Sequence, residues 1–239
     1  MSVKRWRTTD DGPVVTYALI GLCCLAFLVS PLSGFNPVYG RGDALLAAQS
    51  AYFERWGVIP SQLMTGSPHA LLTPLTALFV HGNWLHLLGN MLFLYVFGAM
   101  AEERMGRLRF AVFYLVIGYL ALTAYAIANA SSQETLVGAS GAIAGVLGAF
   151  LYLFPKARVT SLFPFLFFLP LRFPAWIVLV FWFALQYVAQ QQTPPDGPAV
   201  AYLAHLVGFG GGFLYAWVRY WRTDRVRAQT GATEGERQP

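Results

Sequence analysis

The sequence predicts an all-α, polytopic membrane protein, and three observations carry that prediction. Of its 239 residues, 56% are hydrophobic and 11% charged, with a mean hydropathy of +0.52. A soluble domain carries about 25% charged residues. Apolar stretches near 14–32, 84–101, 110–129, 139–155, 174–190 and 199–218 are each long enough to approach the ~30 Å of bilayer hydrocarbon. Finally, if six spans start from the cytoplasm, fourteen of the sixteen basic residues fall in the inner segments and only Arg41 and Arg55 fall outside. Such a positive-inside bias places both termini in the cytoplasm.

The segments follow in order. Residues 1–13 form an inner tail carrying Lys4, Arg5 and Arg7. No small-residue cleavage site clearly follows the first apolar stretch and five more stretches do, so it reads as a span rather than a signal peptide. Cys23 and Cys24 are adjacent within it and cannot form an ordinary disulfide. The first outer loop, about 33–70, is too long for a bare connector and is expected to fold back onto the membrane face. Helices are expected throughout the spans, because amides in lipid must be satisfied within their own segment. The run Phe163–Pro174 is broken by Pro164, Pro170 and Pro174 and reads as an interfacial loop. The core spans 14–218, and the polar tail 219–239 is expected to be cytoplasmic and unstructured. The net charge of +5 follows from the positive-inside bias and anionic headgroups, and no nucleic-acid binding is expected.

This topology brings all four histidines to the outer side: His69 in the first loop, His81 and His86 at the start of the second span, and His205 near the outer end of the sixth. Ser140 opens the fourth span from the same side, in Gly138-Ala139-Ser140-Gly141. Ionisable residues at membrane depth are costly and usually functional. The fourth span is almost bare on one face, and on the sixth Gly208 and Gly212 follow His205 at i+3 and i+7. Small residues allow two helices to approach closely, which a short serine needs to reach an imidazole on another helix. A serine hydroxyl is a poor nucleophile until a base takes its proton. The alternative is that the glycines are packing seams and Ser140 is interhelical glue.

His86 and Asn90 lie at i, i+4 on one face of the second span. Both can donate to a developing oxyanion, together with the Ser140 backbone N–H at a helix N-terminus. Headgroup binding or helix bridging is the other reading. His81 sits five residues before His86 and suits a different role, capping the helix or holding the outer loop. No Asp or Glu lies at mid-span beside His205, so a Ser-His dyad is expected rather than a triad. The same absence disfavours an intramembrane aspartyl protease. No H-E-x-x-H occurs either, and neither a metal nor a cofactor is expected.

These motifs resemble the rhomboid family of intramembrane serine proteases. The resemblance covers roughly 14–218 and rests on His81-x4-His86-x3-Asn90, Gly138-Ala139-Ser140-Gly141, Ala204-His205-x2-Gly208-x3-Gly212, and Gly98-Ala99 with Glu102-x-Arg104-x-Gly106, in the family's order. It implies a six-transmembrane-helix rhomboid-like bundle that hydrolyses a peptide bond in or beside a transmembrane segment of another membrane protein. Ser140 would be the nucleophile and His205 the base. His86, Asn90 and the Ser140 amide would bind the oxyanion, with His81, Gly138, Gly141, Gly208 and Gly212 in support. Glu102 and Arg104 would tie the inner loop as an exposed pair of little energetic weight. Some family members stack an aromatic, four residues after the serine, on the histidine; here that position is Ala144.

Trp176, Phe181 and Trp182 on the fifth span resemble the family's lateral gate, with an ordinary lipid-facing surface as the alternative. Gln190–Pro198 would then form a movable cap. The expected partners are transmembrane segments of substrates and membrane lipids. The expected location is the plasma membrane of a prokaryote, the site opening to the extracytoplasmic side. Two other functions compete. A rhomboid-like protein that escorts transmembrane segments would typically lack the serine or the histidine. A transporter often shows internal repeats, and the two halves show none.

Overall fold

The structure, a computed structural model, describes residues 12–163, 169–191 and 202–235. It is mostly helical. Helix α1 (Val14–Val29) is followed by the short helices of the first loop: α2 (Asp43–Trp56), α3 (Pro60–Leu63) and α4 (Pro68–Thr76). Helices α5 (Trp84–Phe93) and α6 (Ala99–Met105) are joined through a π turn at Leu94–Gly98, so that Trp84–Met105 is one continuous rod. Helices α7 (Arg107–Ala128) and α8 (Ser140–Leu153) follow, then strands β1 (Arg158–Phe163) and β2 (Leu169–Pro174), α9 (Ala175–Gln191) and α10 (Tyr202–Gly235). By length and composition, Trp84–Met105 and α7 can each cross a membrane unaided.

The membrane character shows in the faces of α7. Phe110, Phe113, Tyr114, Ile117 and Ala121 point inward, while Leu108, Val112, Val116, Leu120 and Ile127 are exposed. A water-soluble helix carries polar residues on its outer face. The apolar exterior of α7 suits lipid instead, and α1 repeats the pattern with Tyr17, Leu22, Leu25 and Val29 outward.

Helix α8 forms the centre, and every residue from Gly141 to Phe150 is buried. It packs against α10, α7, α6 and the π turn. Its 14 residues rise only about 21 Å, short of the ~30 Å hydrocarbon thickness. Pro155 stops it: the residue before a proline avoids the α region, and Phe154 turns out at φ −134°.

Glycines bring α8 and α10 together. A Cβ on Gly208 would collide with the Gly141 carbonyl, one on Gly212 with the Gly145 carbonyl, and one on Gly148 with the Phe209 carbonyl. Each obstacle is backbone, so the approach exists only because those side chains are absent.

The first loop packs back against the helices. Val58 and Leu136 exchange backbone hydrogen bonds of 2.9 and 2.8 Å, and the Tyr119 hydroxyl donates to the Leu71 carbonyl at 3.0 Å. Three local readings change. Within the run read as an interfacial loop, residues 169–174 form β2, which pairs antiparallel with β1 from Arg158 with Pro174 to Phe163 with Leu169. Its prolines are tolerated because a two-stranded sheet has only edges; Pro164 lies outside the described residues. The tail after Trp221 continues as helix to Gly235, where Arg, Ala and Gln are good helix formers and no proline intervenes. Glu102 is no exposed ion-pair partner. It is 2% exposed, and its carboxylate accepts from Val15 N at 2.9 Å, Thr16 N at 2.7 Å and Thr16 Oγ1 at 2.8 Å. It thus caps α1, whose first turn lacks a capping side chain of its own. Arg104 lies over the Tyr220 ring at 4.8 Å. Tail residues 1–11 and most of the segment read as a cap lie outside the described residues.

Candidate active site

Ser140 is the first residue of α8, and the chain reaches it through Gly138, whose N–H donates to the Ala77 carbonyl at 2.9 Å. His205 lies in the first turn of α10 and is 3% exposed. Across the glycine seam, His205 Nε2 sits 2.8 Å from Ser140 Oγ. The other ring nitrogen, Nδ1, is buried with no hydrogen-bond partner among the described residues. The pair is therefore a dyad in geometry, with no carboxylate on Nδ1 among the described residues.

Asn83 starts α5 as its N-cap, its side chain accepting from His86 N at 2.8 Å. This takes from His81 the capping role suggested above, and the signal was an Asn directly ahead of an apolar run. The Gly82 N–H donates to His86 Nδ1 at 3.4 Å. That contact occupies Nδ1 as an acceptor and favours the tautomer with its proton on Nε2. A Cβ on Gly138 would meet His86 Nε2 at 2.8 Å and Asn90 Nδ2 at 3.8 Å. Both donors therefore converge on the backbone two residues before Ser140. Gly138 also has φ +123°, so both its conformation and its neighbours require glycine. Asn90 is 9% exposed, and its Nδ2 has no partner among the described residues. A buried donor without a partner is costly.

His81 is 1% exposed. Its ring meets His86 edge-on at 5.2 Å despite their five-residue separation, because it precedes the helix rather than riding on it. Burial, aided by the adjacent His86 ring, pushes the His81 pKa down to about 3, so it is neutral. His69 is exposed on α4.

The three aromatic residues read as a gate separate. Trp176 and Phe181 are exposed on α9, whereas Trp182 is 8% exposed and points inward. Its ring lies 5.9 Å from Phe93 and 5.4 Å from His205. The inward contact with His205 was missed, since only the exposed or buried state of neighbouring α9 positions reveals it.

Residues 68–222 match the Rhomboid domain family, and the chain belongs to that family. It is similar to RHOMBOID-like protein 6, mitochondrial, of Arabidopsis thaliana, 30% identical over 166 residues, or 66% of this chain and 52% of that protein. It is also similar to Rhomboid protein 1, mitochondrial, of Saccharomyces cerevisiae (34% identical; 58% of this chain, 39% of that protein). Rhomboid-like protein 11, chloroplastic, of Arabidopsis thaliana matches over a shorter stretch (40% identical; 30% of this chain, 25% of that protein). The chain spans about half or less of the length of these relatives. Their names place them in organelles, which overturns the plasma-membrane location expected above.

Proposed function

We propose that the protein is an intramembrane serine endopeptidase that cleaves a peptide bond in or next to a transmembrane segment of a membrane protein. The 2.8 Å contact between His205 Nε2 and Ser140 Oγ carries this reading. Six membrane spans within residues 14–218 hold the site, with both termini on one face and tails at 1–13 and 219–239. His205 Nε2 accepts the Ser140 proton as Oγ attacks the scissile carbonyl. The oxyanion forms against His86 Nε2, the Asn90 amide and the Ser140 N–H, which as the first helical N–H has no intrahelical acceptor. Collapse passes the proton from His205 to the leaving amine and leaves an ester on Ser140. Water, deprotonated by His205, then hydrolyses that ester and regenerates the serine. Gly141, Gly208 and Gly212 support the dyad by holding α8 and α10 together, and Gly138 and His81 support the donor pair. A substrate helix would approach through lipid beside Trp176 and Phe181 on α9.

The test is cleavage of a transmembrane reporter by the protein reconstituted in liposomes, compared with Ser140→Ala and His205→Ala. Product from wild type alone supports the protease. Intact reporter that co-purifies equally with wild type and both variants would instead favour an escort of transmembrane segments, with Ser140 as a packing residue.

A further inference from the structure

The His205 imidazole makes one hydrogen bond, to Ser140, and its Nδ1 has no partner among the described residues. A single bond to the nucleophile does not fix a ring that can rotate about its Cα–Cβ and Cβ–Cγ bonds. No side chain on α8 supplies the missing support at Ala144, a methyl group wholly buried in the seam. The ring that meets His205 comes from α9. Trp182 lies 5.4 Å away at an interplanar angle of 54°. It is itself braced: Phe93 of α5 lies 5.9 Å from it and Phe183 lies 4.9 Å from it. Phe183 in turn sits edge-on to Phe209 at 4.9 Å. His205 and Phe209 are i, i+4 on α10 and occupy one face. Two adjacent rings of α9 thus clasp two consecutive turns of α10, and one of the clasped side chains is the base.

Resting on the protease reading above, we infer that Trp182 is the positioning residue of His205, holding the imidazole so that Nε2 faces Ser140. A residue of the helix beside the substrate path therefore sets the geometry of the dyad, in place of an aromatic on α8. This differs from a role in admission alone. A gate residue alters how a transmembrane substrate gets in, whereas a positioning residue alters the reactivity of Ser140 toward any electrophile.

The experiment uses the full chain in detergent as wild type, Trp182→Phe and Trp182→Leu. It reads the second-order rate of labelling by a small fluorophosphonate beside kcat and KM for a transmembrane reporter peptide. Leucine keeps buried apolar volume without a ring. Labelling and kcat are expected to fall together about 10- to 100-fold in Trp182→Leu, as misplacement of a reacting group by about 1 Å does, with KM little changed. Trp182→Phe is expected to recover most of the loss. Labelling of the leucine variant within about twofold of wild type would overturn the inference while leaving the protease reading intact. Wild type that does not label at all would overturn both. If the leucine variant fails to fold, the His205 ring signals in histidine-labelled wild type and Trp182→Phe decide. An upfield ring-current displacement that changes with the substitution supports the contact, and unchanged signals overturn it.

Discussion

Gly208→Ala places one methyl group at the narrowest point of the α8–α10 seam, without touching either member of the dyad. The added Cβ would land on the Gly141 carbonyl oxygen, and would lie 3.1 Å from its carbon and 3.4 Å from the Ala144 Cβ. A backbone obstacle cannot swing aside as a side chain does, so α10 must retreat by about 1 Å to restore ordinary contact. His205 is one turn away on the same face, and Ser140 is the neighbour of Gly141. The 2.8 Å Ser140–His205 contact therefore opens to about 3.8 Å, beyond hydrogen-bonding range. A misplacement of that size costs about 100-fold in rate, equivalent to about 2.7 kcal/mol of barrier. Overpacking adds a stability loss of about 1–3 kcal/mol. Fluorophosphonate labelling rates together with thermal unfolding in detergent read both effects. Gly210→Ala serves as the internal control, because a Cβ there meets nothing within 4 Å. Wild-type labelling by Gly208→Ala would refute the reasoning that backbone proximity builds the dyad.

Three further outcomes follow from the same geometry. Asn90→Ala removes a buried donor that the resting protein leaves unused. Reporter cleavage is expected to lose about 10²–10³-fold in kcat with little change in KM, the size of one oxyanion donor. Glu102→Ala strips α1 of the carboxylate that accepts three hydrogen bonds. It is expected to destabilise by about 3 kcal/mol in thermal or denaturant unfolding, as charge-assisted bonds contribute about 1.5–3 kcal/mol each with partial compensation by water, and Glu102→Gln should cost less. His81, buried and neutral with its pKa lowered from 6.5 to about 3, contributes stability that is fully present above pH 6.5. That stability is lost as pH falls toward 3, by about 2 kcal/mol at pH 5. The unfolding of His81→Gln, measured from pH 7 to pH 5, should show a correspondingly shallower decline than wild type.

The sequence revealed most where a single periodicity or spacing carried the structure. The apolar stretches around 14–32, 84–101 and 110–129 became helices nearly at those bounds, because the period and length of an apolar run dictate a helix. Gly208 and Gly212 announced the seam through G-x-x-x-G spacing, and the seam indeed brings Ser140 and His205 within hydrogen-bonding distance. What escaped was tertiary or sequence-distant. Nothing near Glu102 in the chain indicates that it caps α1, 86 residues away. Periodicity of α9 marks its apolar nature but not its rotation, so Trp182 could not be separated from Trp176 and Phe181. The hairpin Arg158–Pro174 was hidden because its prolines argue against a strand in general, and only an edge position makes them tolerable. His81 reaches His86 through a bend before α5, a contact that helical spacing alone argues against.

The most direct measurement is peptide mapping by mass spectrometry after treatment of the solubilised full chain with a fluorophosphonate. A single phosphonyl adduct on Ser140, abolished in His205→Ala although that variant retains Ser140 and folds, is the predicted result. An unmodified Ser140 in a folded wild-type protein, or an adduct that persists in His205→Ala, would contradict an activated Ser140–His205 dyad.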